Sequence, residues 1–354
     1  MKAVDVAIIG AGPAGAVAAA YTRQRGLSVR MIEKARFPRF QIGESLLPQC
    51  MEMLAEAGLV DAVDKAGFQR KNGAQIVRGN RRRDIVFSDK STPGYDYTYD
   101  VTRADFDLLL ARGAEKQGAE LYFGHETLDV EFPEGEVRLR TRDEHGVEYE
   151  HQARFVLDAS GFAAVLPRLL GLRKPSDFPP RAAVFTHIRH HIDDPAFDPH
   201  KVRIGIHPEH GEVSSWLIPF PDGVASVGVV AADKFLKLEE SDPDTCLWRM
   251  IDEEPELGRM LGNAEFLWPA RVVKGYASDV TQTYGDRYAL VGSAAGFLDP
   301  VFSSGVTLGM ASAKYAVDAM ARELAGETVD WEQDFAQPMA LGVGTCRDVV
   351  ETWY

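Results

Sequence analysis

The chain has 354 residues and a formal net charge of −14, and 45% of its residues are hydrophobic. A chain of this length can bury a large core and divide into two regions. Its acidic balance argues against non-specific binding to nucleic acid, which requires a basic surface. No run approaches the about 20 consecutive apolar residues that cross a bilayer, so we expect no stable membrane insertion and a cytoplasmic location.

The first 33 residues have the pattern of a βαβ unit that binds a dinucleotide. An apolar strand at Val4–Ile9 leads into the glycine-rich turn Gly10–Gly15, an alanine-rich helix and a second strand that ends at Glu33. In this pattern the glycines permit a tight turn and a close approach to the pyrophosphate, and the helix N-terminus supplies free N–H groups. The acidic residue that binds a ribose hydroxyl is expected about 20 residues after the turn. The turn predicts a pyrophosphate site formed by five residues: Gly10, Gly12, Pro13, Ala14 and Gly15.

Further along the chain, hydrophobic spacing predicts helices and strands in alternation. Apolar residues recur at helical intervals over 44–67, and the alternation over 73–89 favours two strands joined at an arginine-rich turn, Arg81–Arg83. A helix is predicted over Val101–Gly118 and a buried strand over Arg154–Gly161. Several strand-like segments follow over 181–232, then a strand beginning at Tyr288 and a helix over Gly305–Leu324.

These elements predict an α/β fold with a discontinuous nucleotide-binding domain. We expect residues 1–35, 101–170 and 275–325 to form a Rossmann-like βαβ domain of the glutathione-reductase or aromatic-hydroxylase type. Residues 71–100 and 181–274 would form a mostly antiparallel substrate region, followed by a helical segment over 326–354. A strand that returns to the far end of the site favours FAD over a freely exchanging nicotinamide cofactor, because a flavin ring needs contacts beyond the phosphate loop.

Two longer motifs carry a family resemblance. The segments FPRFQIGESLLP (37–48) and GFLDPVFSSGV (296–306) resemble those of flavin-dependent halogenases of the phenol and pyrrole type. Three shorter segments fall in the same order as in that family: FQRKNGA (68–74), VTRADFD (101–107) and DASG (158–161). The resemblance continues to the final TWY and implies the FAD-binding fold shared with aromatic hydroxylases and geranylgeranyl reductases.

The resemblance also implies a cofactor arrangement. FAD would be held along the predicted phosphate loop, with Glu33 at the adenosine ribose. Further cofactor contacts are expected from Lys34, Arg39, Gly43, Arg103, Ser293, Asp299, Gly305 and Val306. Reduced FAD would come from a separate flavin reductase, and chloride or bromide would be the halide.

In these halogenases a lysine delivers the oxidised halogen to the substrate, and the matching residue here is Lys71. Ser304 and Gly305 match the residues whose backbone amides hold halide beside the flavin. Trp216, Ile218 and Pro219 would line the route between the flavin and the lysine. Judged by its neighbours alone, Lys71 would instead be read as a surface residue between Arg70 and Asn72. The expected substrate is a small molecule or an acyl group bound to a carrier protein.

Three features depart from the family pattern. Ser214 stands where the family's W-x-W-x-I-P segment has its first tryptophan, and Ser293 stands where flavoproteins of this fold usually have aspartate. The sequence ends at Tyr354, where many relatives continue into a region that covers the substrate. We therefore expect either a more open pocket or a longer natural chain.

These departures keep other activities open. One alternative is a non-halogenating FAD oxidoreductase that dehydrogenates, reduces or hydroxylates an apolar or carrier-bound substrate. Another alternative is a hydroxylase that binds NAD(P)H directly. A third, a binding protein that has lost its flavin, is disfavoured by the intact phosphate loop.

No metal site is expected. The cysteines Cys50, Cys246 and Cys346 are odd in number and far apart, which fits neither a disulfide framework nor metal-ligand spacing. Adjacent residues His190 and His191 would face opposite sides of a strand. For Glu44 the sequence favours capping of the following helix.

Overall fold

A computed structural model of the protein describes residues 2–299 and 301–353. The α-helices of these residues are α1 Pro13–Gln24, α2 Pro48–Glu56, α3 Val60–Asp64, α4 Arg103–Lys116, α5 Val165–Leu169, α6 Asp233–Leu236, α7 Pro243–Asp252, α8 Pro255–Leu261, α9 Ser304–Leu324 and α10 Gln337–Trp353. The strands are β1 Val4–Ile9, β2 Val29–Glu33, β3 Gln69–Lys71, β4 Gly73–Arg78, β5 Arg81–Val86, β6 Thr98–Asp100, β7 Glu120–Phe123, β8 His125–Glu131, β9 Val137–Asp143, β10 Glu148–Asp158, β11 Arg173–Lys174, β12 Ala182–Arg189, β13 Lys201–Ile206, β14 Ser214–Pro219, β15 Val224–Ala231, β16 Glu265–Phe266, β17 Arg271–Lys274, β18 Asp279–Val280, β19 Tyr284–Gly285 and β20 Tyr288–Leu290.

The first sheet contains the βαβ unit predicted from the sequence. Its strand order is β19-β20-β10-β1-β2-β7, and β20, β10, β1, β2 and β7 run parallel. β1 and β2 are almost entirely buried, as expected for parallel strands covered on both faces. The β8–β9 hairpin extends the sheet through antiparallel pairing with β10. The predicted α/β fold class is confirmed.

The second sheet has the order β16-β12-β15-β14-β13-β4-β5, with β17 also paired to β12. Every pair in it is antiparallel except β4 with β13. β4 comes from a segment far earlier in the chain than β13, so the sheet is assembled from two separate stretches. The predicted domain boundaries themselves stay a prediction.

Helices α1, α4 and α9 cover one face of the first sheet and form the largest apolar core. α1 contributes four small residues, Ala16 and Ala18–Ala20, and these allow close packing against α9 and α4. Phe106 of α4 and Met310 of α9 fill the space between the helices. In the residues that the model describes, no helix is long and apolar enough to span a membrane.

The helix predicted over 44–67 is wrong in extent. The chain is extended up to Leu47 (φ −109°, ψ 153°), because a residue that precedes proline disfavours helical geometry. α2 therefore begins at Pro48, and Gly58 interrupts the segment with a φ of +69° before α3. The predicted role of Glu44 as a helix cap is also wrong, since the α2 N-cap is Leu47 and carries no side-chain cap.

Candidate functional site

A deep cavity of about 910 Å³ lies between the two sheets. This is near the upper end of the about 300–1,000 Å³ range of ligand and cofactor sites. Ile9 and Ile32 of the first sheet line one side, and Ile204 and Trp216 of the second sheet line the other. The cavity thus follows the carboxyl ends of β1 and β2, where open α/β sheets bind their ligands.

The glycine turn has the geometry that a phosphate loop requires. Gly10 has a φ of +98°, and an added Cβ would lie 2.5 Å from the carbonyl oxygen of Ala159. A Cβ on Gly15 would overlap the carbonyl oxygen of Gly10. Gly10, Gly12, Pro13 and Ala14 line the cavity, whereas Gly15 brings α1 close to the strand behind them. α1 begins at Pro13, so its free N–H groups lie at the cavity wall.

Glu33 and Lys34 lie at the end of β2 and both line the cavity. The Glu33 carboxylate is buried and accepts hydrogen bonds from the backbone N–H groups of Ala11 at 2.9 Å and Ala35 at 2.8 Å. These bonds fix the carboxylate, and each oxygen retains a lone pair for a further donor. The Lys34 ammonium extends outward to Glu126, 2.8 Å away.

Two arginines meet the buried carboxylate of Asp107. Arg103 donates to Asp107 at 2.7 and 3.0 Å and to the carbonyl oxygens of Ile42 and Gly43 at 2.8 and 3.2 Å. Its guanidinium is therefore largely engaged in shaping the loop at Gly43. Arg39 contacts Asp107 at 3.1 Å through Nη2, but within the described part of the chain its buried Nη1 has no partner. A buried, unpaired donor on the cavity wall fits the oxyanions of a pyrophosphate.

At the opposite end, the start of α9 forms the wall. Ser293 lies in a short 3₁₀ turn after β20, and it lines the cavity together with Gly305 and Val306. A Cβ on Gly305 would come within 3.0 Å of the Phe297 ring. Ser304 is buried beside them, and its side chain is not among the described residues that line the cavity. The free N–H groups of this helix N-terminus favour an anion.

Asp299 is buried just before α9 but does not line the cavity. It accepts hydrogen bonds from the Tyr276 hydroxyl at 3.1 Å and the Val301 backbone N–H at 2.9 Å. These bonds orient the chain that enters α9. Pro300, within the 296–306 motif, and Tyr354, at the end of the family resemblance, lie outside the described residues.

Lys71 is fully buried, so the reading of this residue as a surface charge is wrong. Its ammonium donates to Ser45 Oγ at 2.7 Å and to the Leu46 carbonyl oxygen at 2.8 Å. Burial lowers the pKa of Lys71, against the opposing effect of the negative charge of Asp100. Lys71 does not itself line the cavity in the described structure, but Ser45 does. The lysine thus reaches the cavity through the Ser45 hydroxyl.

Asp100 belongs to the same buried cluster. Burial raises the pKa of Asp100 to about 6, although the nearby Lys71 charge lowers it. In the region that the structure describes, neither carboxylate oxygen has a hydrogen-bond partner of normal geometry. Sequence reasoning missed Asp100 and Ser45, because only the β3–β6 pair and the Ser45–Asp100 bridge bring them to Lys71.

β14 contributes four residues to the cavity lining: three from one face of the strand, Ser214, Trp216 and Ile218, and the adjacent Ser215. The Trp216 indole donates to Ser226 Oγ at 3.1 Å. Pro219, which was predicted beside them, is buried but lies outside the lining residues. Ser214 accepts a hydrogen bond from the indole of Trp353, at 2.9 Å.

A pair that the sequence did not predict joins the segment 37–48 to β12. His187 Nε2 and Glu44 Oε1 are 2.6 Å apart, and both residues are buried. Glu44 lines the cavity, and its second oxygen has no partner among the described residues. His190 and His191 follow the end of β12 and are not part of this pair. Across residues 2–299 and 301–353, no three histidine, cysteine or acidic side chains converge as a metal site.

Comparison with known proteins identifies the family. Residues 3–344 match the family model described as "FAD binding domain". The 1H-pyrrole-2-carbonyl-[peptidyl-carrier protein] brominase of Pseudoalteromonas luteoviolacea is 32% identical over 338 residues, which cover 94% of this chain and 80% of that protein. The chain belongs to the flavin-dependent halogenase family. It is therefore an FAD-dependent oxidoreductase, and the prediction of FAD as its cofactor is confirmed.

Two solved flavoprotein structures share the fold over the whole chain. A flavoprotein/dehydrogenase from Cytophaga hutchinsonii superimposes with a TM-score of 0.96 at 40% identity, covering 100% of this chain and 86% of that one. The myxobacterial chondrochloren halogenase superimposes with a TM-score of 0.92 at 31% identity, covering 100% of this chain and 83% of that one.

Proposed function

We propose that this enzyme halogenates an electron-rich ring, using reduced FAD, dioxygen and chloride or bromide. The observation that carries the proposal is the buried Lys71, which reaches the cofactor cavity through Ser45. A lysine is costly to bury. Its position beside the cavity supports a chemical role rather than a packing role.

The cavity residues support a definite orientation of the cofactor. The turn Gly10–Gly15 and the free Nη1 of Arg39 would hold the pyrophosphate, with Glu33 at the adenosine ribose. Lys34, Gly43 and Arg103 would then lie along the cofactor. The flavin ring would be surrounded, directly or through neighbouring residues, by Ser293, Asp299, Gly305 and Val306. When bound, FAD supplies the electrons that reduce dioxygen to the oxidation level of peroxide.

The start of α9 supports a halide site. The backbone amides of Ser304 and Gly305 belong to the first turn of a 21-residue helix, whose N-terminus favours an anion. Oxidation of the halide by two electrons gives a hypohalous acid. That acid must then travel from the flavin end of the cavity to Ser45 and Lys71 without meeting bulk water.

The lowered pKa of Lys71 suits the next step. A neutral amine can exchange one N–H for N–halogen on reaction with hypohalous acid, releasing water. The halogen is then transferred as the electrophile to a ring carbon, the ring loses a proton, and the amine regains one. A protonated Lys71 can instead hydrogen-bond the hypohalous acid and direct it towards the ring. Trp216 and Ile218 form the apolar wall beside this route.

The substrate class follows from the related brominase, which acts on a pyrrole bound to a peptidyl carrier protein. We propose that this enzyme takes an electron-rich phenol or pyrrole, either free or on a carrier arm. A separate flavin reductase would supply reduced FAD, and the reaction would occur in the cytoplasm.

The test supplies reduced FAD, oxygen and bromide with an electron-rich phenol and records the product by mass spectrometry. The wild type should add bromine, seen as the characteristic isotope pair. Lys71→Ala should abolish this product while FAD binding and hydrogen peroxide release persist. The exposed Lys65 offers a matched control, and Lys65→Ala should stay within a factor of about two.

The double variant Lys71→Ala/Asp100→Asn separates folding from chemistry, because it removes the buried acid together with its neighbouring cation. It should fold and bind FAD but remain unable to brominate. If bromide has no effect on turnover and NADPH alone sustains it, the enzyme is a non-halogenating oxidoreductase and the proposal fails.

A further inference from the structure

The face of β14 that carries Trp216 and Ile218 has a small side chain at one position of the cavity wall. Ser214, Trp216 and Ile218 alternate along the strand and all face the cavity. Trp216 and Ile218 are bulky, but Ser214 extends only a hydroxyl into the wall. A serine cannot fill the volume of an aromatic ring, so packing at this point depends on another element.

Helix α10 brings an aromatic ring to this position. The Trp353 indole N–H donates to Ser214 Oγ at 2.9 Å. The same ring packs edge to face against Phe302, with 5.1 Å between the ring centroids and 83° between the planes. It also lies against a buried apolar cluster whose members are Ala74, Val202, Ile204, Ile218 and Phe220. Val202, Ile204 and Ile218 line the cavity, so Trp353 forms the back of its wall.

The position of Trp353 does not depend on a single contact. Val350, one turn earlier on α10, is buried and packs with Phe178 and Leu298. The Arg347 guanidinium lies over the Phe178 ring, 5.5 Å from its centroid. These contacts hold the last turns of α10 against the body of the protein.

We propose that Trp353 is a specificity-determining residue, which supplies from α10 the ring that β14 lacks at Ser214 and thereby limits the size of ring substrate that fits. This inference rests on the proposed function, because it assigns the end of the cavity near Ser214 to the organic substrate. Removing the indole would leave the wall at Ser214, Val202 and Ile204 without support. The wall could then yield to a larger ring.

The test measures binding rather than turnover. Dissociation constants of para-methylphenol and para-phenylphenol are determined by calorimetry on the FAD-loaded enzyme without oxygen or halide. Trp353→Ala should change the ratio of the two constants by about tenfold in favour of the larger phenol, as expected for a change of pocket size. Ser214→Trp/Trp353→Ala should return the ratio towards the wild-type value.

Leu341 provides a matched control, because it is an apolar residue of the same helix with 75% of its surface exposed. Leu341→Ala should leave the ratio within twofold. If Trp353→Ala loses FAD or helical content, Trp353→Phe decides: its smaller ring should shift the ratio by about threefold, and an unchanged ratio overturns the inference.

The outcome is separable from that of the proposed function. If Trp353→Ala shifts the ratio of the two dissociation constants but the wild type does not brominate, the role of Trp353 is supported and the proposed halogenation is refuted. Bromination with a ratio that Trp353→Ala does not change overturns the role of Trp353 alone.

Discussion

The buried pair Lys71 and Asp100 allows a quantitative prediction about stability. Both side chains are inaccessible to solvent, with exposures of 1% and 0%. Lys71→Met would replace the ammonium with an apolar group of similar length and leave the Asp100 carboxylate buried without its nearby cation. Removing one partner of a buried ion pair in direct contact costs about 3–5 kcal/mol, and because the Asp100 oxygens have no hydrogen-bond partner among the described residues, about 2–3 kcal/mol is expected for this through-space interaction. We expect the free energy of unfolding to fall by that amount at pH 8.

The pH dependence has a definite sign. The pKa of Asp100 is raised from 3.8 to about 6, so between these two pH values the folded state holds a proton on Asp100 that the unfolded state has lost. At about 1.4 kcal/mol per pKa unit, this costs the wild type about 2.4 kcal/mol at pH 8 relative to pH 4. Without the Lys71 charge, the pKa of Asp100 should rise further. The loss caused by Lys71→Met should therefore be smaller at pH 5.5, where Asp100 can remain neutral, than at pH 8.

Urea unfolding of the FAD-saturated wild type, Lys71→Met, Asp100→Asn and the double variant measures the coupling. Because the double variant removes both charges, we expect it to recover about 1–3 kcal/mol relative to the sum of the single changes. Lys65→Met, at an exposed position, should change stability by less than about 0.5 kcal/mol. A loss below about 1 kcal/mol for Lys71→Met at pH 8, without recovery in the double variant, would refute the reasoning.

Three further predictions concern the cofactor end and the first sheet. Gly15→Ala should lower the free energy of unfolding in urea by about 3 kcal/mol or more, because its Cβ would overlap the Gly10 carbonyl oxygen. In Gly12→Ala the nearest atom to the new Cβ is 3.6 Å away, so this variant should keep its stability but bind FAD more weakly. Arg39→Gln should raise the FAD dissociation constant by about tenfold or more in a flavin fluorescence titration, and an unchanged constant would contradict a phosphate contact. Burial lowers the pKa of His151 from 6.5 to about 4. As the pH falls from 7 to 4.5, the imidazole of His151 therefore becomes protonated in the unfolded state but stays mostly neutral in the folded state. About 2 kcal/mol of stability should be lost over this range, and His151→Asn should reduce that loss in paired unfolding curves.

The parts of the structure that the sequence determined are those with local causes. The strand, turn and helix of the βαβ unit lie within about 30 consecutive residues, and the left-handed φ of Gly10 is a requirement that only glycine meets without strain. The helix predicted over Val101–Gly118 is found at Arg103–Lys116, because the pattern of buried residues and the terminal glycine are also local. The motifs around Gly43 and Gly305 likewise identified residues that line one cavity.

The contacts between distant segments were decided only by the tertiary structure. Glu44 meets His187 across 143 residues, and Trp353 meets Ser214 across 139. Neither pair has a sequence signal, because the first depends on how the second sheet lies against the segment around Glu44 and the second on how α10 lies against the second sheet. The depth of Lys71 was hidden for the same reason: its polar neighbours Arg70 and Asn72 indicate a surface, but pairing of β3 with β6 buries it beside Asp100. Sequence specifies the backbone conformations that each segment adopts, whereas burial and charge pairing arise only once those segments pack together.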